Sequence, residues 1–370
     1  MDVEKIRKRI PALEKCTHLN SAAVSPLFSN TIKEIQGFLE NRGRKADFNF
    51  SEWLDELKAC KRNIGELVNA SEEEIALTHN TSEGINTVAQ MIPWKEGDTV
   101  VTSDLEFPSN SIPWYNLRKK GVRVKTVHNV DGEIRIEDIE QAMDQNTKLV
   151  ALSYVQFGNG FRTDLEKVSK LCREHNAFFF SDVIQGMGAA KFDVRRIDID
   201  FFSGAAYKWL MGPLGVGIFY IKKELIKEFD PPFIGWHSLK KEVDHEEAGL
   251  DRVELAETAQ RFEAGGRSFA LIKGLKNSLE ILLDIGLDAI ERRVLDLSKY
   301  VIDNAKNART PRDERKRAGI VNIAHSNPEK AVEKLKDKNI FVSPRMGGIR
   351  VATHFWNTEE DIDKLLDSIQ

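Results

Sequence analysis

Short apolar runs alternate with amphipathic stretches from about residue 75 to about residue 220. The apolar runs predict buried strands and the amphipathic stretches predict helices. Continuous apolar strands separated by helices indicate a mostly parallel sheet that is covered on both faces. We therefore expect an α/β fold, with strands at 99–102, 122–127, 149–154, 178–182, 201–204 and 216–221 and helices at 83–91, 109–120, 136–143 and 164–174.

The last third of the chain has a different pattern. A long helical periodicity in two pieces covers 268–305, and short strands then alternate with helices to the end of the chain. This pattern predicts a small α/β unit beside the large one. We expect a large domain over residues 19–265 and a small C-terminal domain over 266–370, with residues 1–18 packing on the small domain. Residues 223–255 are charged and show no regular hydrophobic pattern, which is typical of surface loops.

Charge and composition exclude several kinds of protein. The 54 Lys and Arg residues nearly balance the 58 Asp and Glu residues, which argues against a basic nucleic-acid-binding surface. No apolar run reaches the length needed to span a bilayer, and the first residues lack the apolar region of a secretory signal. The three cysteines are odd in number and widely spaced, so we expect no disulfide framework and a cytoplasmic location.

The familiar short motifs are absent. The sequence has no Walker-type phosphate loop, no Gly-x-Gly-x-x-Gly and no His-Glu-x-x-His. Its eight histidines are scattered, so we expect no metal site.

Chemistry-bearing residues nevertheless lie at the ends of two predicted strands and at the start of a predicted helix. Asp182 ends one apolar strand, Lys208 follows the next, and Thr81 and Ser82 precede a helix. Taken alone, each has an ordinary explanation. Asp182 is then a helix cap, Lys208 a surface lysine, and Thr81 and Ser82 an ordinary N-cap pair. Together they predict a site for pyridoxal 5'-phosphate (PLP), because a lysine amine can bond to this cofactor, a carboxylate can keep its pyridine nitrogen protonated, and helix amides can hold its phosphate.

In these residues the chain resembles the class V aminotransferases, fold-type-I PLP enzymes that include cysteine desulfurases, kynureninase and isopenicillin N epimerase. The match rests on Asp182-x-x-Gln185 and on Lys208, which lies 26 residues after Asp182. The resemblance implies a seven-stranded mixed sheet, a small C-terminal domain and a homodimer. It also implies that Asp182 contacts the pyridine nitrogen, Gln185 the phenolic oxygen, and Thr81 and Ser82 the phosphate.

The resemblance extends to residues around the ring and the substrate. It implies that Phe107 stacks on the cofactor and that Gln156 points toward the cofactor and substrate. It assigns the substrate carboxylate to Arg350, with Arg345 as the competing residue. Residues 261–266 match the segment that reaches the phosphate of the partner subunit.

The sequence also departs from the family pattern. Ala205 and Tyr207 stand where a Ser and a His are common, and Gly266 stands where a Thr is common, so phosphate hydroxyls are missing. Tyr207 and Ser203 are the expected substitutes. Phe107 replaces the acid–base His of the desulfurases. No cysteine follows Cys172, so we expect no protein-bound persulfide.

We therefore expect a class V aminotransferase that acts on a small amino acid and a 2-oxo acid. An epimerase-like racemase or a C–S lyase remains open, because both reactions also begin with loss of a proton to Lys208. A non-catalytic PLP-binding descendant is a further alternative, favoured by Ala205 and Gly266 and opposed by the retention of Lys208, Asp182 and Arg350. We expect small molecules and a second copy of the chain as partners, and neither nucleic acid nor membrane.

Overall fold

Helices and strands alternate along the computed structural model, which describes residues 1–240 and 253–369. The described helices are α1 Val3–Arg7, α2 Ser29–Lys45, α3 Phe50–Val68, α4 Thr81–Met91, α5 Ile112–Asn116, α6 Ile136–Ala142, α7 Leu165–Glu174, α8 Val194–Ile197, α9 Phe269–Ile285, α10 Leu287–Asn304, α11 Pro328–Asp337 and α12 Glu359–Ser368. The described strands are β1 Thr17–His18, β2 Ile75–Thr78, β3 Thr99–Ser103, β4 Arg123–Val127, β5 Thr147–Ser153, β6 Phe178–Asp182, β7 Phe201–Ala205, β8 Gly217–Ile221, β9 Ile320–Ala324, β10 Ile340–Phe341, β11 Ser343–Arg345 and β12 Gly348–Ala352.

A seven-stranded sheet forms the centre of the larger unit, with the order β2-β8-β7-β6-β5-β3-β4. Strand β8 runs antiparallel to both of its neighbours, whereas β4, β3, β5, β6 and β7 are mutually parallel. The inner strands are buried on both faces, and Phe179, Phe180, Phe201 and Phe202 have no exposed surface. This arrangement confirms the predicted α/β fold with a mixed, mostly parallel sheet.

The smaller unit is built around a three-stranded antiparallel sheet with the order β11-β12-β9. The N-terminal strand β1 pairs with β10, with Thr17 opposite Ile340, so the first residues lie on this smaller unit. Helix α9 packs against α2 and α3, and its buried residues Leu275 and Leu279 belong to the core of the larger unit. The division at residue 266 stays a proposal, and this packing favours a boundary after α9.

Several segments differ from the sequence-based prediction, and helix α3 is absent from it. The predicted helix over 109–120 is α-helical only at Ile112–Asn116 and is flanked by 3₁₀ turns, because Ser111 leaves helical geometry at φ −126°. Strand β2 was not predicted, because its four residues are too few to show an alternation. Part of the predicted irregular segment, 241–252, lies outside the described residues. No helix among the described residues is long and apolar enough to cross a bilayer.

Candidate active site

Asp182 and Lys208 are brought together by two neighbouring parallel strands. Asp182 is the last residue of β6 and lies opposite Ser203 of β7, and Lys208 follows the end of β7 by three residues. The carboxyl ends of parallel strands meet at one edge of a sheet, which is where open α/β folds bind ligands. The predicted pair therefore lies at the expected edge, and both side chains are buried.

Burial moves the pKa values of this pair toward each other. Burial raises the pKa of Asp182 to about 7, although a hydrogen bond from the Ile184 N–H (3.0 Å) and the charge of Lys208 both oppose the shift. Burial lowers the pKa of Lys208 to about 8; the charge of Asp182 opposes this shift, and Arg350 and Arg345 add to it. The Lys208 amine makes no hydrogen bond or ion pair with the described residues. A neutral, unpaired amine near pH 8 is a competent nucleophile and base.

The start of helix α4 provides a cup for a phosphate. Asn80 caps the helix by accepting a hydrogen bond from the Glu83 N–H at 3.0 Å. The Thr81 hydroxyl is buried and has no hydrogen-bond partner in the described structure, and the Ser82 hydroxyl donates to Ser109 Oγ at 2.9 Å. The free amides of this turn and the unpartnered Thr81 hydroxyl fit an anion, as the sequence predicts.

Ser203 has a different surrounding from the one expected. Its hydroxyl lies 3.0 Å from the carbonyl oxygen of Thr81 and 3.3 Å from that of Ile218, so its single proton is donated to the main chain. Gly84 packs directly on it: a Cβ at position 84 would lie 2.4 Å from Ser203 Oγ. Ser203 thus seats α4 on the sheet, and the geometry gives no support to a phosphate contact from this residue.

Two aromatic rings lie within 6 Å of the Lys208 amine. The Phe107 ring centroid lies 5.9 Å from Lys208 Nζ, and that of Tyr207 lies 5.7 Å from it. Phe107 also meets Phe157 edge-to-face at 5.1 Å. Burial, with the charge of Asp182, raises the pKa of the Tyr207 phenol. Phe107 is 42% exposed, so its ring remains accessible for stacking on a flat ligand.

Gln185 is held by two hydrogen bonds that set the orientation of its amide. Its Nε2 donates to the Ala22 carbonyl oxygen at 3.0 Å, and its Oε1 accepts from Trp209 Nε1 at 3.0 Å. One N–H of the amide remains available, which fits the predicted contact with a phenolic oxygen.

A buried carboxylate that the sequence did not reveal lies behind the site. Glu106 accepts hydrogen bonds from Gln156 Nε2 (2.7 Å), the Ser153 N–H (3.0 Å) and the Ser153 hydroxyl (2.5 Å). It also accepts from the Ser103 hydroxyl (3.0 Å) and Asn110 Nδ2 (2.6 Å). The nitrogen of the Gln156 amide must face this carboxylate, so its oxygen faces away and is buried without a partner. Only the position of Glu106, just after β3, could have suggested its role.

Arg350 lies in the middle of β12 and is 2% exposed. One guanidinium nitrogen donates to the Phe157 carbonyl oxygen at 2.9 Å, another lies 3.5 Å from Asn20 Oδ1, and Nε has no partner. Burial lowers its pKa to about 9, and the charge of Arg345 adds to this shift. A buried guanidinium without a carboxylate among the described residues is suited to bind one from a ligand.

Arg345 is exposed and ends β11, where it donates to the Pro344 carbonyl oxygen at 2.7 Å. Its charge is felt at both Lys208 and Arg350, so the structure brings both predicted arginines to the site.

The segment predicted to reach a partner subunit is held by a buried ion cluster. Glu263 lies 2.6 Å from both Lys61 Nζ and a guanidinium nitrogen of Arg267, and it accepts from the Leu77 N–H at 2.8 Å. A Cβ at Gly266 would meet nothing within 4 Å, so this position faces open space.

The three cysteines take no part in the contacts described above, and the site offers no metal-binding cluster among the described residues. Cys60 and Cys172 are buried, and burial raises the pKa of the Cys60 thiol to about 12 and also raises the pKa of the Cys172 thiol. Cys16 directly precedes β1 in the smaller unit, with its sulfur 3.2 Å from the Ala12 carbonyl oxygen. No cluster of three or more His, Cys, Asp or Glu residues suited to a metal occurs within 1–240 and 253–369.

The fold agrees with the comparisons to known proteins. The family model described as aminotransferase class-V matches residues 17–365, so the chain belongs to this family. A probable cysteine desulfurase of Pyrococcus abyssi is 28% identical over 99% of this chain and 96% of its own length. The apo structure of the cysteine desulfurase from Thermococcus onnurineus NA1 is 26% identical, with a TM-score of 0.90 over 98% of this chain and 96% of that one.

A complex of the cystine C-S lyase C-DES with cysteine persulfide shares the fold at 20% identity, with a TM-score of 0.90 over 97% of this chain and 98% of that chain.

Family membership confirms PLP as the cofactor, and the residues present fit it. Lys208 would bond to its aldehyde carbon, Asp182 would pair with its pyridine nitrogen, and the turn at Thr81 and Ser82 would hold its phosphate. Phe107 would cover the ring. The unpartnered Thr81 hydroxyl and the Asp182 carboxylate, which lacks a directly paired cation, match these needs.

Proposed function

We propose that the enzyme is a PLP-dependent aminotransferase that moves an amino group between a small α-amino acid and a 2-oxo acid. The observation that carries this proposal is the buried Arg350 guanidinium, whose Nε has no partner and whose charge reaches Lys208. A carboxylate held there lies beside a base, which is the arrangement that a reaction at Cα requires.

The residues divide the work as follows. Bound PLP supplies an electron sink that acidifies the Cα–H bond of an attached amino acid. Arg350 holds the α-carboxylate and so orients that bond, and the Lys208 amine, with its pKa near 8, accepts the proton. Asp182 keeps a proton on the pyridine nitrogen. In a transamination Lys208 would deliver this proton to the bound cofactor instead of returning it to the same Cα.

Desulfuration through a protein thiol is disfavoured, although several relatives are named probable cysteine desulfurases. The whole chain has three cysteines, two of which are buried with raised thiol pKa values. The second candidate function is a C–S lyase that needs no protein thiol, in keeping with the fold shared with C-DES. An epimerase-like racemization stays open for the same reason, since it also begins at Lys208.

We also infer a homodimer. Large apolar side chains are exposed in the larger unit, with Ile112 at 64%, Leu214 at 60% and Phe233 at 70%. Exposed apolar groups of this size are typical of interaction surfaces. Light scattering of the purified protein should give the mass of two chains.

The cytoplasmic location, predicted from the unpaired cysteines, stays a prediction.

The direct test is a screen of single L-amino acids with and without an added 2-oxo acid. The absorbance of bound PLP should change with the substrate, and a new 2-oxo acid should form in proportion to the amino acid consumed. Lys208→Ala is the control and should form none. Release of pyruvate, ammonia and a sulfur species from cysteine or cystine would favour the lyase instead, and an unchanged spectrum with every amino acid would contradict both functions.

A further inference from the structure

Two arginines beside Lys208 have no carboxylate to pair with. Neither Arg345 nor Arg350 forms an ion pair with a described residue, and the charges felt at Lys208 are those of Asp182 and these two guanidiniums. Asp182 is committed to the pyridine nitrogen of the cofactor. The substrate side of the pocket is therefore positive, and a single α-carboxylate would neutralise only one of the two arginines.

The hairpin of β11 and β12 places these two arginines on one face. Arg350 lies opposite Ser343, and Arg345 lies opposite Gly348. Residues two apart on a strand share a face, so Arg345 and Arg350 are diagonal neighbours on the same side of the sheet. Such neighbours have side chains that start about 7–8 Å apart. A short dicarboxylate can bridge this separation.

The backbone that carries Arg345 is firmly attached to the wall of the site. Asn322 Nδ2 lies 2.9 Å from the Arg345 carbonyl oxygen and 3.1 Å from that of Gly158, to both of which it can donate. Arg309 donates to the carbonyl oxygen of Met346, the next residue, at 2.9 Å. These bonds tie the turn to the loop that contains Gln156, so a flexible guanidinium starts from a fixed point beside the pocket.

We propose that the preferred substrate is a dicarboxylic amino acid, or the corresponding 2-oxo acid, whose α-carboxylate binds Arg350 and whose second carboxylate binds Arg345. This inference rests on the proposed function. The buried Arg350 is assigned to the α-carboxylate, which all amino-acid substrates share. The exposed Arg345 is assigned to the second carboxylate, which distinguishes a dicarboxylic substrate from the others. Arg345 is thus a specificity-determining residue.

Binding without chemistry provides the first test. Calorimetry of the PLP-loaded protein should show that maleate, a dicarboxylate with no amino group, binds more tightly than acetate. Arg345→Gln should weaken maleate binding by about tenfold or more, since a charge-assisted hydrogen bond is lost. Lys334→Gln removes one charge from the exposed surface of α11 and should change nothing. Equal binding of maleate and acetate, or equal weakening by both substitutions, would overturn the inference.

Spectral titrations with amino acids provide the second test. The bound-PLP absorbance should respond to L-aspartate or L-glutamate at lower concentration than to L-alanine. Arg345→Gln should remove this preference, so that L-aspartate, L-glutamate and L-alanine act at similar concentrations. A wild type that prefers L-alanine would overturn the dicarboxylate inference but leave the aminotransferase standing. Tight maleate binding with no response to any amino acid would instead contradict the proposed function.

Discussion

The indole nitrogen of Trp209 donates a hydrogen bond to Gln185 Oε1 at 3.0 Å. Trp209 directly follows Lys208, and Gln185 follows Asp182 by three residues. Since Gln185 also donates to the Ala22 carbonyl oxygen, one buried amide joins the two segments that carry the site and connects them to the N-terminal part of the chain. The mutual position of the lysine and the carboxylate thus depends on this bond as well as on the sheet.

Replacing this indole should loosen both segments. Trp209→Phe leaves Gln185 Oε1 buried without its donor, so we expect the free energy of unfolding to fall by about 1–3 kcal/mol and PLP to bind more weakly. Urea unfolding and PLP titration measure the two effects. Trp94→Phe removes a comparable hydrogen bond, to the Ala89 carbonyl oxygen at the C-terminal end of α4, the end opposite the Thr81 turn. That control should leave PLP binding unchanged; equal PLP affinity in both variants would contradict the account.

The stability of the cofactor-free protein should depend on pH through Asp182. Burial raises the pKa of Asp182 to about 7, so the folded state holds this proton more tightly than the unfolded chain. Its contribution to stability is therefore complete below the unfolded pKa of about 3.9 and is lost as the pH rises through about 7. Asp182→Asn should flatten this part of the profile.

Urea midpoints test this effect. They are measured between about pH 4.5 and about pH 7.5, where the contribution of Asp182 to stability should be lost. The matched control is Asp131→Asn, since Asp131 is exposed and its left-handed backbone (φ 54°) suits asparagine. Parallel profiles for the wild type and Asp182→Asn would show that this carboxyl does not titrate as described.

Arg350→Lys should separate substrate binding from cofactor binding. Lysine keeps the charge but loses the planar fork, so we expect amino-acid affinity to fall by about tenfold to a hundredfold while PLP stays bound. Spectral titration with an amino acid and with an amine lacking a carboxylate measures the contrast. The amine should be unaffected, and equal weakening of both ligands would show that Arg350 does not bind the carboxylate.

Incubation with L-cysteine should leave no persulfide on the protein. Burial raises the pKa of the Cys60 thiol to about 12, and Cys172 is likewise buried. Mass spectrometry after the incubation should find Cys16, Cys60 and Cys172 unmodified. A variant with all three cysteines replaced by serine or alanine should keep its activity. A persulfide formed in step with alanine release would establish desulfurase chemistry.

The sequence predicts the parts of the fold that rest on long apolar runs. Strand β6 occupies its predicted residues. Asp182 and Lys208 lie at the same edge of the sheet because the carboxyl ends of parallel strands meet there. The three-residue strand β11 has too short a pattern to be seen, yet it is what puts Arg345 beside Arg350.

The supporting hydrogen bonds could not be predicted. Glu106 meets Ser153 and Gln156, which lie 47 and 50 residues away in the sequence, and only the folded chain brings them together. The role of Ser203 follows from the position of the Thr81 carbonyl oxygen, a main-chain atom that no motif describes.

The central claim is that Lys208 is the residue that bonds to PLP, and borohydride reduction tests it most directly. Reduction of the PLP-loaded protein followed by peptide mass spectrometry should place the phosphopyridoxyl group on the peptide containing Lys208. In Lys208→Ala that mass should disappear, while the turn at Thr81 still holds PLP noncovalently. A phosphopyridoxyl group on a different lysine in the wild type would contradict the assignment of the site.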